Sequence, residues 1–351
     1  MKQMILLISI IAASLLGGCS NTTIKDLSSW KNVAMQRSIS AYNTKALLAT
    51  GDRIKIVVDK FVEPENQSVR QLASLANLSN VMAAVSEKYL TKAGVEVIDR
   101  KDAKRLLKEI RLAEAKGKAG RYKGPQVVQY ALVGYVDGID TSSKFTERKC
   151  SGGKCSSPTC TYTANIVGKI RIYTVPELRM VKSIALKDDA TRYEETRTDT
   201  CMSRGAASYT TVIRDVGEQA VKGARIKFQN FFAPKAYVSN MRMKDGKYII
   251  KINIGKNRNL EEGTVIKVFT TRLEKDGITG EEREEKMEIA AGKVTNQIGQ
   301  DYAWVILDEP ELASRIRIGF FVKAYFEKNG FEQVGGFLKT VVKRGKELVG
   351  D

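Results

Sequence analysis

Gly94-Val95-Glu96-Val97-Ile98-Asp99-Arg100, then Leu106-Leu107-Lys108-Glu109, then Tyr130-Ala131-Leu132-Val133-Gly134 is the stretch that decides the fold. Val95 to Ile98 is short, apolar and β-branched, as a strand should be, and Ala131 to Val136 reads as another. Between them Leu106, Leu107, Ile110 and Ala113 recur at helical spacing, so one stripe of that helix faces a core. Asp99 stands just ahead of it, where a cap belongs. Upstream, Arg53 to Asp59 alternates and then runs apolar, which predicts a half-buried to buried strand. Residues 68–92 place Leu72, Leu75, Leu78, Met82, Val85 and Tyr89 three and four apart and predict a helix that Gly94 ends. Downstream, Ala164 to Thr174 and Met180 to Leu186 pair as a hairpin around Pro176-Glu177. Val212 to Phe232 is amphipathic, with Val216, Ala220, Ala224 and Phe228 on one face. Strands interleaved with helices and closed by a hairpin make residues 51–235 an α/β sandwich on a mixed sheet.

Beyond Pro234 the pattern changes to short strands and turn signals. Lys244-Asp245-Gly246-Lys247 and Asp276-Gly277 are hairpin turns between apolar runs. Tyr248 to Ile254, Gly263 to Phe269, Ile289 to Asn296, Tyr302 to Leu307 and Phe320 to Tyr325 supply five or six strands. A small β-barrel over residues 236–328 follows. Trp304 and Tyr302 read as core before contact. Residues 329–351 form a basic tail whose helical spacing Gly335-Gly336 weakens.

At the other end, Lys2 precedes an apolar run from Ile5 to Leu16, about the length of a signal segment and too short for a lasting span of a core roughly 30 Å thick. Leu16-Gly17-Gly18-Cys19 matches a lipobox: a branched residue, two small ones, and the cysteine that becomes the acylated first residue. Residues 1–18 are therefore expected as a signal peptide, Cys19 as the lipidation site, and residues 19–50 as a tether that partly docks on the body. Ser20 favours the outer membrane, with the body facing the periplasm. The chain carries 58 Lys and Arg against 40 Asp and Glu, a net charge of +18. Outside the cytoplasm such charge points to headgroups and acidic partners, and its dispersal among carboxylates argues against nucleic acid.

His is absent from all 351 residues, which removes Ser-His and Cys-His pairs and histidine-ligated zinc. Without a nucleophile-base pair, a phosphate loop or a carboxylate constellation, an enzyme is not expected. Neither is a metal or a cofactor. Besides Cys19 there are Cys150, Cys155, Cys160 and Cys201, an even number that reads as two disulfides in an exported chain. Every connectivity ties Cys201 to the loop from Cys150 to Cys160.

The order of these pieces resembles the curli-secretion lipoprotein (CsgG) family, carried by Ile98-Asp99-Arg100, Leu106 to Glu109 and Tyr130 to Gly134 behind a lipobox. The likeness covers roughly residues 51–233 and is shared with the peptidoglycan-synthase activator LpoB and the middle part of the flagellar H-ring protein FlgT. Gly255 to Val268 resembles the C-terminal barrel of FlgT-like proteins. This implies a CsgG/LpoB-like sandwich followed by a barrel, acting as an envelope assembly or scaffold factor. The implied partners are the membrane, through acyl groups, and envelope or appendage proteins, with room for a homo-oligomer. A curli-type secretion channel or an activator of a peptidoglycan synthase are the alternatives it implies. A channel would insert residues 140–163 and 188–209. Pro158 and charges from Lys144 to Arg204 interrupt any apolar face there, and one charge on a lipid face costs about 2–4 kcal/mol. Those excursions are expected instead to be stapled together as a soluble knob.

Overall fold

A computed structural model of the chain describes residues 22–38, 53–117, 121–125, 127–151, 154–202, 207–275, 277, 278, 280 and 282–327. Cys19, the signal segment and the tail 329–351 lie outside them. The described residues fall into two compact units: residues 53–234 with 326 and 327, and residues 22–38 with 235–325. The first strand, β1 (Lys31–Asn32), belongs to the second unit.

In the first unit β2 (Lys55–Val58), β3 (Glu96–Ile98), β4 (Tyr130–Thr146), β7 (Thr159–Thr174) and β8 (Met180–Glu195) form a sheet in the order β3-β2-β4-β7-β8. A separate short hairpin, β5 (Cys150–Ser151) with β6 (Lys154–Cys155), lies between β4 and β7 in the chain. β2 is parallel to β3 and β4, while β4, β7 and β8 run antiparallel in turn, so the sheet is mixed. Helices α1 (Gln67–Leu75), α2 (Leu78–Lys92) and α4 (Ala207–Phe232) cover one face. There Leu78, Met82, Val212, Val216, Ala220 and Phe228 meet Ile56, Val58, Leu132, Ile166 and Ile170. Helix α3 (Lys104–Ala115) covers the other, seating Leu106, Leu107 and Ile110 on Val57, Ala131 and Val133. Among the described residues no helix is long and apolar enough to cross a membrane.

Three local expectations change. The helix over 68–92 is two helices, because Asn77 takes φ 51° and Ala76 ends α1. Asn tolerates that left-handed conformation where most side chains do not. Asp99 is not a helix cap: its carboxylate accepts the Lys101 amide at 2.8 Å, and α3 starts only after Ala103. Most importantly, the polar excursions are largely strand. β4 runs on to Thr146, β7 starts at Thr159 and β8 continues to Glu195. Their alternation places Cys160, Tyr162, Ala164 and Ile166 inward beneath α4, with Thr161, Thr163 and Asn165 outward. An apolar face therefore exists where none is expected, and a helix already covers it.

The second unit is a closed barrel of β9 (Lys235–Lys244), β10 (Lys247–Ile252), β11 (Val265–Lys275), β12 (Glu282–Ile298), β13 (Ala303–Leu307) and β14 (Phe321–Tyr325). The order is β9-β10-β13-β12-β11-β14, and β14 pairs back to β9. Asp245 and Gly246 both have positive φ (50° and 72°), as a two-residue hairpin of the primed type requires. Val238, Ile250, Ile252, Ile266, Val268, Val305 and Val322 fill the interior.

The segment expected as a tether winds over this barrel as far as it is described. Ile24 is buried on Ile249 and Trp304, with Leu27 and Trp30 beside it. Its backbone amide donates to Asn296 at 2.8 Å, and its carbonyl accepts from Gln297 at 3.0 Å. β1 then pairs with Met243 and Arg242 of β9, the edge that β14 leaves open, and Ser38 donates to the Ile318 carbonyl. Residues 22–38 thus form a strap.

Candidate interaction site

The feature that sets the first unit apart is the ribbon made by β4, β7 and β8. On its inner side the start of α4, with Cys201 and Met202 ahead of it, is fastened three times. Cys160, buried, is disulfide-bonded to Cys201; the Met202 amide donates to the Tyr162 hydroxyl at 3.1 Å; and the Ser208 hydroxyl donates to Glu194. That hydrogen bond, aided by Arg192 at 2.8 Å, holds the Glu194 carboxyl below its ordinary pKa. Tyr162 and Tyr209 meet edge to face at 5.0 Å. Cys150–Cys155 closes the β5–β6 hairpin near the ribbon's end. Cys201 is thus tied into the 150–160 region through Cys160.

On the outer side α3 covers only the first part of the ribbon. At its last turn Glu114 receives the Tyr135 and Tyr173 hydroxyls and the Arg171 guanidinium at 3.2 Å. Burial first, then the hydrogen bond to Glu114, pushes the Tyr173 hydroxyl up to about 12 and raises Tyr135 further. The Arg171 guanidinium stacks 5.0 Å from the Tyr135 ring, and Lys169 pairs with Asp137 at 2.8 Å. Past this network the register sets Ser142, Thr163 and Thr191 in one row and Lys144, Thr161 and Tyr193 in another. Val167 (47% exposed), Tyr193 (65%) and Met202 (60%) add apolar surface to the ribbon and its end. Among the described residues strand β8 has a strand partner on one side only, leaving an edge of ladder groups along it. The exposed face is thus mainly polar with scattered apolar groups.

Asp99-Arg100 serves structure. Arg100 donates to the Val58 carbonyl at 2.8 Å and pairs with Glu87, joining the ends of β2 and β3 to α2. A shallow groove beside it is lined by Lys60, Lys88 and Lys101 as well as Glu87 and Asp99. Trp304 is buried under the strap, whereas Tyr302 is partly exposed with Lys251 4.3 Å from its ring centroid. The Glu114 network has a signal in sequence that goes unread there: Lys169-Ile170-Arg171-Ile172-Tyr173 alternates, which puts its three polar side chains on one face.

No protein-family profile matches the chain, and no curated protein matches it. Among solved structures it is similar to a minor lipoprotein from Acinetobacter baumannii, at 11% identity and a TM-score of 0.24 over 50% of this chain and 94% of the other. It is also similar to lipoprotein GNA1162 from Neisseria meningitidis, at 14% identity and 0.21 over 48% and 99%. A third is the hypothetical protein CT253 from Chlamydia trachomatis, at 9% identity and 0.25 over 52% and 98%. At scores this low the likenesses carry no statement about fold or function.

Proposed function

We propose that this chain is an exported lipoprotein, anchored through Cys19 to the outer membrane and facing the periplasm, that works without chemistry of its own as a scaffold for a cell-envelope assembly. The stapled ribbon is the surface it offers to its partner. One observation carries the reading: Cys160–Cys201 ties the segment ahead of α4 to the inner side of the ribbon, and among the described residues none of the core clusters covers the outer face of β4, β7 and β8 past α3. Disulfides persist in oxidising compartments, which agrees with a lipobox at Leu16–Cys19. A secretion channel is less well supported, since the ribbon's apolar side is occupied by α4.

The test is photo-crosslinking in living cells with the reactive group in place of Tyr193, and separately in place of Ile278 in the barrel, which is 98% exposed. Tyr193 should yield one discrete adduct with an envelope protein that Ile278 does not. Equal adducts at both positions, or none, would reject the ribbon as the docking face.

A further inference from the structure

The barrel's outer wall on β9, β14 and β11 interleaves lysines with aromatic rings. Lys323 is registered between Lys235 and Lys267, so like charges face each other across the strands, which destabilises a sheet by itself. Lys286 lies 4.4 Å from the Phe321 centroid, and Lys267 lies 4.3 Å from that of Tyr325 while pairing with Glu288 at 2.9 Å. Burial, then the charges of Lys235 and Lys286, holds the Lys323 ammonium below its ordinary pKa. Anions seated between these ammonium groups would relieve the repulsion, and lysines with aromatic rings are the side chains that suit the headgroup layer.

The strap decides which anion. Thr22 and Thr23 donate to Glu262 at 2.8 and 3.3 Å, on the rim just before β11 begins at Val265. From Thr22 back to Cys19 the chain spans at most about 11 Å. On the reading that Cys19 is acylated, on which this inference rests, so short a leash keeps that rim at the membrane surface. It gives even a weak headgroup affinity a high effective concentration. We propose that the β9–β14–β11 wall binds anionic, phosphate-bearing lipid headgroups and is a second membrane attachment beside Cys19.

The experiment uses the whole mature chain with Cys19→Ser. It is sedimented with vesicles of phosphatidylglycerol and phosphatidylcholine, and with vesicles of phosphatidylcholine alone. Binding is expected to the anionic vesicles only, to weaken with salt, and to be largely lost in Lys235→Glu/Lys323→Glu. Unchanged emission from buried Trp304 shows that the variant is folded, and the exposed Lys286→Glu serves if the double variant is not. No binding by the parent, or equal binding by a folded variant, overturns the proposal. The anchor is scored separately by acyl mass on the wild-type chain and its release by Cys19→Ser. Release of Cys19→Ser without vesicle binding sinks the wall alone, whereas vesicle binding together with no acyl mass on the wild-type chain sinks the anchor alone.

Discussion

Glu114 is the residue on which three part-buried polar side chains of the first unit converge. Tyr135, Tyr173 and Arg171 all spend hydrogen bonds on it, so removing its charge strands partners that burial has already stripped of water. Folding raises the Tyr173 pKa from 10.0 to about 12, so the native state keeps a proton that the unfolded chain loses first. That contribution to stability is complete below pH 10 and is lost as the pH climbs through about 12. Denaturation midpoints should fall across this window. In Glu114→Gln, ultraviolet titration should show two phenols ionising at lower pH, and a curve identical to wild type would refute the network. The alternation from Lys169 to Tyr173 carries which residues share the outer face of β7, though it went unread, but not that Glu114 on α3 reaches them. That meeting depends on where a helix lands on the sheet, which no local pattern encodes.

At the scale of elements, the strap and the turns of the barrel can be tested apart. Ile24→Asp puts a charge against Ile249 and Trp304. It should cost about 2–5 kcal/mol, as loss of a buried aliphatic side chain does, and shift tryptophan emission to the red. Unchanged emission would mean that the strap does not cover Trp304. Gly255 is a different case: a Cβ there would lie 2.3 Å from the Gly299 carbonyl oxygen and 2.6 Å from that of Tyr302, and backbone cannot step aside. Gly255→Ala should lower the unfolding free energy by about 1–3 kcal/mol. The barrel was legible because the Asp245-Gly246 turn and alternation are local signals; Asp276 of the other Asp-Gly pair lies outside the described residues. The strap was not, since residues 22–38 hold their place by pairing with an edge more than two hundred residues away. The long β7 and β8 were half legible: alternation ran through them, but threonines and charges on the outer side disguised it as loop.

Across the whole molecule the two disulfides should differ in weight. Cys160–Cys201 closes a span of 41 residues and Cys150–Cys155 one of 5. Loop-closure entropy then gives about 4 kcal/mol for the first and about 2 kcal/mol for the second. Urea unfolding of Cys160→Ala/Cys201→Ala against Cys150→Ala/Cys155→Ala measures the difference, and equal losses would show that the long staple does not restrain the ribbon. Both tryptophans, Trp30 and Trp304, lie in the barrel unit, so their emission follows that unit while circular dichroism follows both. The central claim, an exported chain anchored at Cys19 and stapled across its ribbon, meets its most direct test in non-reducing peptide mass mapping of protein purified from membranes. The account predicts an N-terminal peptide starting at acylated Cys19, a Cys160–Cys201 cross-link and a Cys150–Cys155 cross-link. An unmodified Cys19 still joined to residues 1–18, or a free thiol at Cys201, would contradict it.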